Sequence, residues 1–182
     1  RVYDMCKYSI LATSFCGIYV DGDRERIPYE ADALINQLSH YTTDREYAMG
    51  RRSSEYLLEH PTWPTEWILQ ALIIAWNDYL YTGDRRSIEA NYDILKARTL
   101  QSLRRENGLI STTDDRVQSD EFKSSIRFYG NMRDIVDWPR CGDWPHGEDD
   151  HYHLTDYNTV VNAFHYRALV ILQQMAELTN RT

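Results

Sequence analysis

The chemistry of this 182-residue chain is densest in the segment Tyr19-Val20-Asp21-Gly22-Asp23-Arg24-Glu25-Arg26-Ile27-Pro28-Tyr29-Glu30-Ala31-Asp32. Five carboxylates and two arginines fall within the twelve residues from Asp21 to Asp32. Carboxylates gathered on a loop that feeds a helix, with aromatics beside them, suit general acid/base work on a polyhydroxylated substrate. One group can hold a proton for a leaving oxygen, while ionised neighbours accept hydrogen bonds from hydroxyls. The competing reading is a solvated charged loop in which Glu30 and Asp32 merely cap a helix. The chain also holds 14 Tyr and 5 Trp. Rings with a polar tip suit a wet, concave surface such as a sugar cleft, and they equally suit helix–helix interfaces.

Other chemistries find less support. The run His146-Gly147-Glu148-Asp149-Asp150-His151-Tyr152-His153 offers metal ligands, but His151 and His153 alternate and no Cys pair accompanies them. That spacing lacks a zinc geometry and reads as a solvated acidic loop, so neither a metal nor a cofactor is expected. Cys6, Cys16 and Cys141 allow at most one disulfide. Cys16 has no histidine at a readable spacing, and Cys6 is expected in the core. His40, His60 and His165 read as packed or capping histidines. The 28 acidic residues against 20 basic ones give a formal charge of −8, which argues against a nucleic-acid partner. The longest apolar run, Ala71–Trp76, is far too short for a membrane span.

The elements that must position these residues are nearly all helical. A first helix is predicted over Val2–Thr13, with Val2, Met5, Cys6, Ser9 and Ile10 on one face. Ser14–Ile27 reads as irregular. After Pro28, a helix is predicted whose Ala31, Leu34, Ile35, Leu38 and Tyr41 follow helical spacing. Thr43-Asp44-Arg45-Glu46 reads as a capping box opening a third helix to Glu59, which His60-Pro61 breaks. Thr65 is predicted to cap a fourth helix, Glu66–Tyr81, with Trp67, Ile68, Ala71, Leu72, Ala75, Trp76, Tyr79 and Leu80 inward. Gly83 should end that helix, and Asp84 should cap a fifth running to Glu106 before Asn107-Gly108. Leu109–Arg127 reads as loop and Phe128–Tyr152 as an insertion. Thr155 or Asp156 is predicted to cap a last helix, Tyr157–Leu178. Six helices without a clear strand define an all-α antiparallel array.

The acid-rich segment resembles the signature of the bacterial α-L-rhamnosidases, glycoside hydrolase family 78, which reads Asp-Cys-Pro-Gln-Arg-Glu-Arg-Leu-Gly-Trp-Thr-Gly-Asp. Arg24-Glu25-Arg26 match its centre, Asp32 its terminal Asp, and Tyr29 stands where it has Trp. Asp21 matches the leading Asp after deletion of one residue. Gly22-Asp23 replaces Cys-Pro-Gln, and Ile27-Pro28-Tyr29-Glu30-Ala31 replaces Leu-Gly-Trp-Thr-Gly. Trp67 through Thr82-Gly83-Asp84 is similar to the family's stretch from a substrate-lining Trp to a Gly-Asp helix end. The family's later Gly-Asp-Trp motif is matched literally by Gly142-Asp143-Trp144, while Asp137-Trp138 fits its spacing from Glu25 better. The resemblance spans essentially the whole chain and marks it as a divergent branch.

The resemblance implies an (α/α)6 barrel that hydrolyses α-L-rhamnosyl or related linkages of a carbohydrate substrate with inversion. It implies Glu25 as the general acid, with a raised pKa. It further implies Asp21, Arg24 and Asp32 as sugar-binding groups, and Tyr29, Trp67, Asp137 and Trp138 as the rest of the lining. The family's general base is a Glu on a later part of the barrel, and no motif here supplies it. Twelve helices with loops need on the order of 250 residues. Residues 1–182 are therefore expected to be about half of a catalytic barrel, cut at both ends. By resemblance the setting is extracytoplasmic, periplasmic or secreted. The alternative is an α/α-toroid that binds carbohydrate without turnover.

Overall fold

The computed structural model describes residues 1–22, 25–136 and 155–181. Arg24, Asp137 and Trp138 lie outside the described residues, as do Cys141, Trp144 and the run from His146 to His153.

The described residues hold seven α-helices, one small hairpin and two short 3-10 helices, Gln101–Leu103 and Asp115–Gln118; the α-helices and strands are α1 Val2–Ala12, β1 Ser14–Phe15, β2 Ile18–Tyr19, α2 Glu30–Thr43, α3 Ala48–Glu59, α4 Thr65–Thr82, α5 Arg86–Arg98, α6 Asp120–Ser125 and α7 Thr159–Thr179. The architecture is an all-α array. Helix α4 is its axis, packing against α2, α3, α5 and α7. The sequence dictates that place: apolar residues line more than one side of α4, so Leu69 and Leu72 join one core with Leu95 and Ile171, while Ile74 joins a second with Ile10, Tyr19 and Ala33. Pro64 stands at its N-cap, and Gly83 at φ +68 closes it, donating its amide to the Tyr79 carbonyl. Leu80 is exposed, against expectation, and Asp78 is buried in its stead. Asp78 tolerates burial because Tyr41 donates to it at 2.9 Å and Arg51 pairs with it at 2.8 Å.

Several local readings are corrected. The inward face of α2 consists of Glu30, Ala33, Gln37, His40 and Tyr41, whereas Ile35 is 67% exposed and Leu38 also faces out. Polar residues turn inward here because each finds a partner: Gln37 donates to the Ile74 carbonyl at 3.0 Å, and His40 Nδ1 meets the Tyr19 hydroxyl at 2.7 Å. In α1 only Ile10 is buried, so Cys6 is exposed rather than core. Thr43 ends α2 by donating to the Ser39 carbonyl, and Glu46 alone accepts the amides of Ala48 and Met49 at the start of α3. Helix α5 stops at Arg98, where Leu100 turns at φ +59 and buries itself completely. Asn107-Gly108 instead forms a tight turn that lets Arg104 bridge Ile110. Ser119 caps α6 inside the predicted loop, burying Phe122. Asn158 caps α7 through the amides of Val160 and Val161, while Asp156 accepts from Thr113.

Candidate active site

The hairpin β1–β2 reverses through Cys16 and Gly17, both at positive φ, and delivers Tyr19 into the core. Tyr19 is anchored there by its amide, which donates to Ser53 Oγ at 2.9 Å. Two residues on, the loop closes on itself. Asp21 donates its amide to the Ile27 carbonyl at 2.8 Å, and its Oδ1 accepts the Arg26 amide at 2.7 Å. This neck, with Arg26 held at φ +55, sets Glu25 at the loop rim before Pro28-Tyr29 enters α2. Arg26 contributes its backbone amide to the cluster.

Glu25 is exposed, yet its carboxylate is fixed: Tyr29 donates its hydroxyl to Glu25 Oε2 at 2.7 Å. Asp32 lies one turn into α2 and shares this space. Its carboxyl is raised above the ordinary range, first by burial and then by the charges of Asp21 and Glu25. The Tyr29 phenol is likewise raised, by burial, by the bond to Glu25 and by all three carboxylates, so it remains a neutral donor. Asp21, Glu25 and Asp32 thus lie in one field in which charging one opposes charging another. Among the described residues, no group of three or more His, Cys, Asp or Glu is arranged to hold a metal ion.

An aromatic run leads away from the carboxylates. The Tyr29 ring meets Trp67 edge-on at 5.3 Å, Trp67 lies 6.4 Å from Trp63, and the Arg133 guanidinium sits 4.5 Å over Trp63. The structure therefore gathers Asp21, Glu25, Tyr29, Asp32 and Trp67, five of the residues singled out in the sequence.

Two buried carboxylates brace this arrangement, and the sequence reading missed both roles. Glu30 is fully buried and accepts both the amide and the hydroxyl of Thr62, tying the start of α2 to the loop that carries Trp63. Burial raises Glu30 and pulls the nearby buried Arg98 down to about 10, so desolvation outweighs their attraction. Glu66 accepts the amides of Ile135 and Val136, and Thr65 donates its amide to the Arg133 carbonyl at 3.0 Å. This fastens segment 132–136 to the start of α4, beside Trp67. A helical periodicity that admits polar members, Glu30-Ala33-Gln37-Tyr41, would have revealed Glu30; the Glu66 contact spans too much sequence to leave a local signal.

Helical hairpins with clustered carboxylates beside a run of edge-on and tilted aromatics fit a glycosidase-type six-hairpin domain, a class whose substrate is carbohydrate. The chain belongs to the bacterial alpha-L-rhamnosidase six-hairpin glycosidase domain family, whose model matches residues 1–182. No curated protein and no solved structure matches it.

Proposed function

We propose that this domain hydrolyses terminal α-L-rhamnosyl or closely related linkages by an inverting acid/base mechanism. The observation that carries the reading is the Tyr29–Glu25 hydrogen bond at the edge of the Tyr29–Trp67 wall. By resemblance Glu25 matches the family's general acid, and it gives its proton to the departing glycosidic oxygen. A water attacks the anomeric carbon from the opposite face and yields its proton to a second carboxylate, with the two carboxyl groups roughly 6.5–9.5 Å apart. Asp21 and Asp32 accept hydrogen bonds from the sugar hydroxyls. Tyr29 and Trp67 supply an apolar wall, against which the methyl group of a 6-deoxy sugar gains from burial. Arg24, Asp137 and Trp138 are assigned to the same sugar site by resemblance alone.

The base belongs to another part of the ring. Val2, Met5, Tyr8 and Leu11 on α1, with Ile35 on α2, present exposed apolar surface of the kind that further hairpins would cover. Residues 1–182 are proposed as part of such a ring.

The test is hydrolysis of an aryl α-L-rhamnoside by the protein and by its Glu25→Gln variant, with the product anomer read by NMR. Turnover with inverted product, and a loss of about 10²–10⁴ in kcat for the variant, is expected. A wild-type protein that binds 6-deoxy sugars without turning any over would replace this reading with that of a carbohydrate-binding toroid.

A further inference from the structure

We propose that Glu30 is a positioning residue for sugar binding: its buried carboxylate grips Thr62 and so fixes Trp63 and Trp67 against Tyr29, while leaving Glu25 to its own loop. The inference rests on the glycosidase reading above. It gives that site a residue to which the resemblance assigns no role, since the signature has Thr where Glu30 stands.

The aromatic wall is built from two separate pieces of chain. Tyr29 is the N-cap of α2, whereas Trp63 lies in the link between α3 and α4, and Trp67 in the first turn of α4. The rings meet edge-on at 5.3 Å (Tyr29 and Trp67) and tilted at 6.4 Å (Trp63 and Trp67). Ring pairs accept centroid distances of roughly 4.5–7 Å, so they do not by themselves set the spacing of the two pieces. Glu30, beside Tyr29, does so. Its Oε1 accepts the Thr62 amide at 3.1 Å and its Oε2 accepts the Thr62 hydroxyl, one residue before Trp63. Two donors on one carboxylate buried from water hold both distance and angle.

The same carboxylate has a second, separable task. Arg98, the last residue of α5, is completely buried and attracts Glu30. Its Nη2 donates to the Leu58 carbonyl at 2.9 Å, in the last turn of α3. Its Nε and Nη1 are buried without a hydrogen-bond partner. Glu30 is the stronger of the two carboxylates that compensate this cation; Glu59 is the other, and Arg127 opposes them. Removing the charge of Glu30 leaves a buried guanidinium poorly compensated, which costs stability. Removing its grip on Thr62 frees the wall.

Glu25 stands outside this linkage. Tyr29 donates to it from four residues along the same loop, so the two stay together when the wall shifts. Loosening Thr62 therefore moves Trp63 and Trp67 away from the sugar without parting the acid from its donor. Affinity falls, and the titration of the acid stays where it was.

The test pairs steady-state hydrolysis of an aryl α-L-rhamnoside with calorimetric binding of L-rhamnose, for the wild type, Glu30→Ala, Glu30→Gln and Thr62→Ala. Glu30→Ala should raise KM and weaken rhamnose binding about tenfold, with kcat within about threefold and the alkaline limb of the pH profile in place. Thr62→Ala keeps the amide and loses the hydroxyl, so it should weaken binding by about threefold and reads the same tie if Glu30→Ala does not fold. The double variant should bind no worse than Glu30→Ala, because both changes act on one contact. Glu30→Gln should keep a KM near that of the wild type: its amide oxygen accepts the Thr62 amide, and its amide nitrogen donates to the Thr62 hydroxyl. Its Tm should fall as Arg98 loses compensation, and adding Arg98→Met should restore part of that fall. Unchanged affinity in both alanine variants, a Glu30→Gln affinity as low as that of Glu30→Ala, or no binding of either compound by the wild type would overturn the proposal. A wild type that binds L-rhamnose without hydrolysing the rhamnoside would overturn the glycosidase reading alone, and the affinities of the same variants then decide the role of Glu30.

Discussion

The Tyr29 hydroxyl donates to Glu25 Oε2 at 2.7 Å, while the ring that carries it meets Trp67 at 5.3 Å. One side chain thus couples the position of the candidate acid to the position of the apolar wall. The coupling is local in origin: Tyr29 stands at the N-cap of α2 in extended conformation, four residues after Glu25, so the chain reverses just enough to bring the two together.

Tyr29→Phe should separate the two roles. The variant keeps the ring and loses the donor, which favours the ionised form of the carboxylate it binds. Without it, Glu25 holds its proton to higher pH. The alkaline limb of kcat/KM should move upward, with KM changed by less than about threefold, since the ring that meets Trp67 edge-on survives. Tyr29→Ala should instead raise KM by losing the wall. A pH profile of Tyr29→Phe that overlays the wild type would show that the bond merely holds the loop.

The extent to which the sequence announces all this differs by element. Helix α4 is legible because its stops are local: Pro64 and Gly83 act through their own backbone preferences. The carboxylate cluster is legible because its members fall within a dozen residues. What the sequence hides is burial decided by distant partners. Ile35 and Leu38 look like core and are exposed, while Gln37 and His40 go inward to meet the Ile74 carbonyl and Tyr19. Apolar periodicity cannot see an acceptor supplied from another helix. The end of α5 is hidden for the same reason: Leu100 leaves helical geometry to fill a space made by elements far along the chain.

Glu66 should give stability a distinct pH signature. Its carboxyl is raised by burial, with the charge of Asp134 adding to the effect, although the amides of Ile135 and Val136 oppose it. A carboxyl raised in the folded state holds more protons there than in the unfolded chain. Its contribution is therefore greatest below the ordinary glutamate range, near about 4.3, and is lost as pH rises through the raised value. Glu30 and Asp32 act in the same sense. Asp84 and Asp114, held low by arginine partners, act oppositely, and their contribution is lost only in stronger acid. Urea unfolding between pH 4 and 8 should show stability declining with rising pH, at about 25 °C. Glu66→Gln should be less steep, because its side chain cannot ionise while its one oxygen can still accept the amides of Ile135 and Val136. Identical slopes would remove Glu66 from the account.

Gly50 should tolerate no side chain, because it lies against the ring that holds Asp78. A Cβ added there would clash with the Tyr41 hydroxyl oxygen and stand 2.7 Å from the ring. Tyr41 cannot simply swing away: it donates to Asp78 at 2.9 Å, and Asp78 pairs with Arg51, which also reaches Asp84 at 2.8 Å. Displacing the ring would leave a buried carboxylate short of a donor between α2, α3 and α4. Gly50→Ala should therefore cost about 1–3 kcal/mol, as overpacking does. Tyr41→Phe removes the oxygen that makes the closest approach, at the cost of the Asp78 bond. The double variant should then be less destabilised than the two single effects added, by about 0.5–3 kcal/mol of coupling. Strict additivity in thermal or urea unfolding would mean that Gly50 is required for its backbone alone and that the contact with Tyr41 carries no energy.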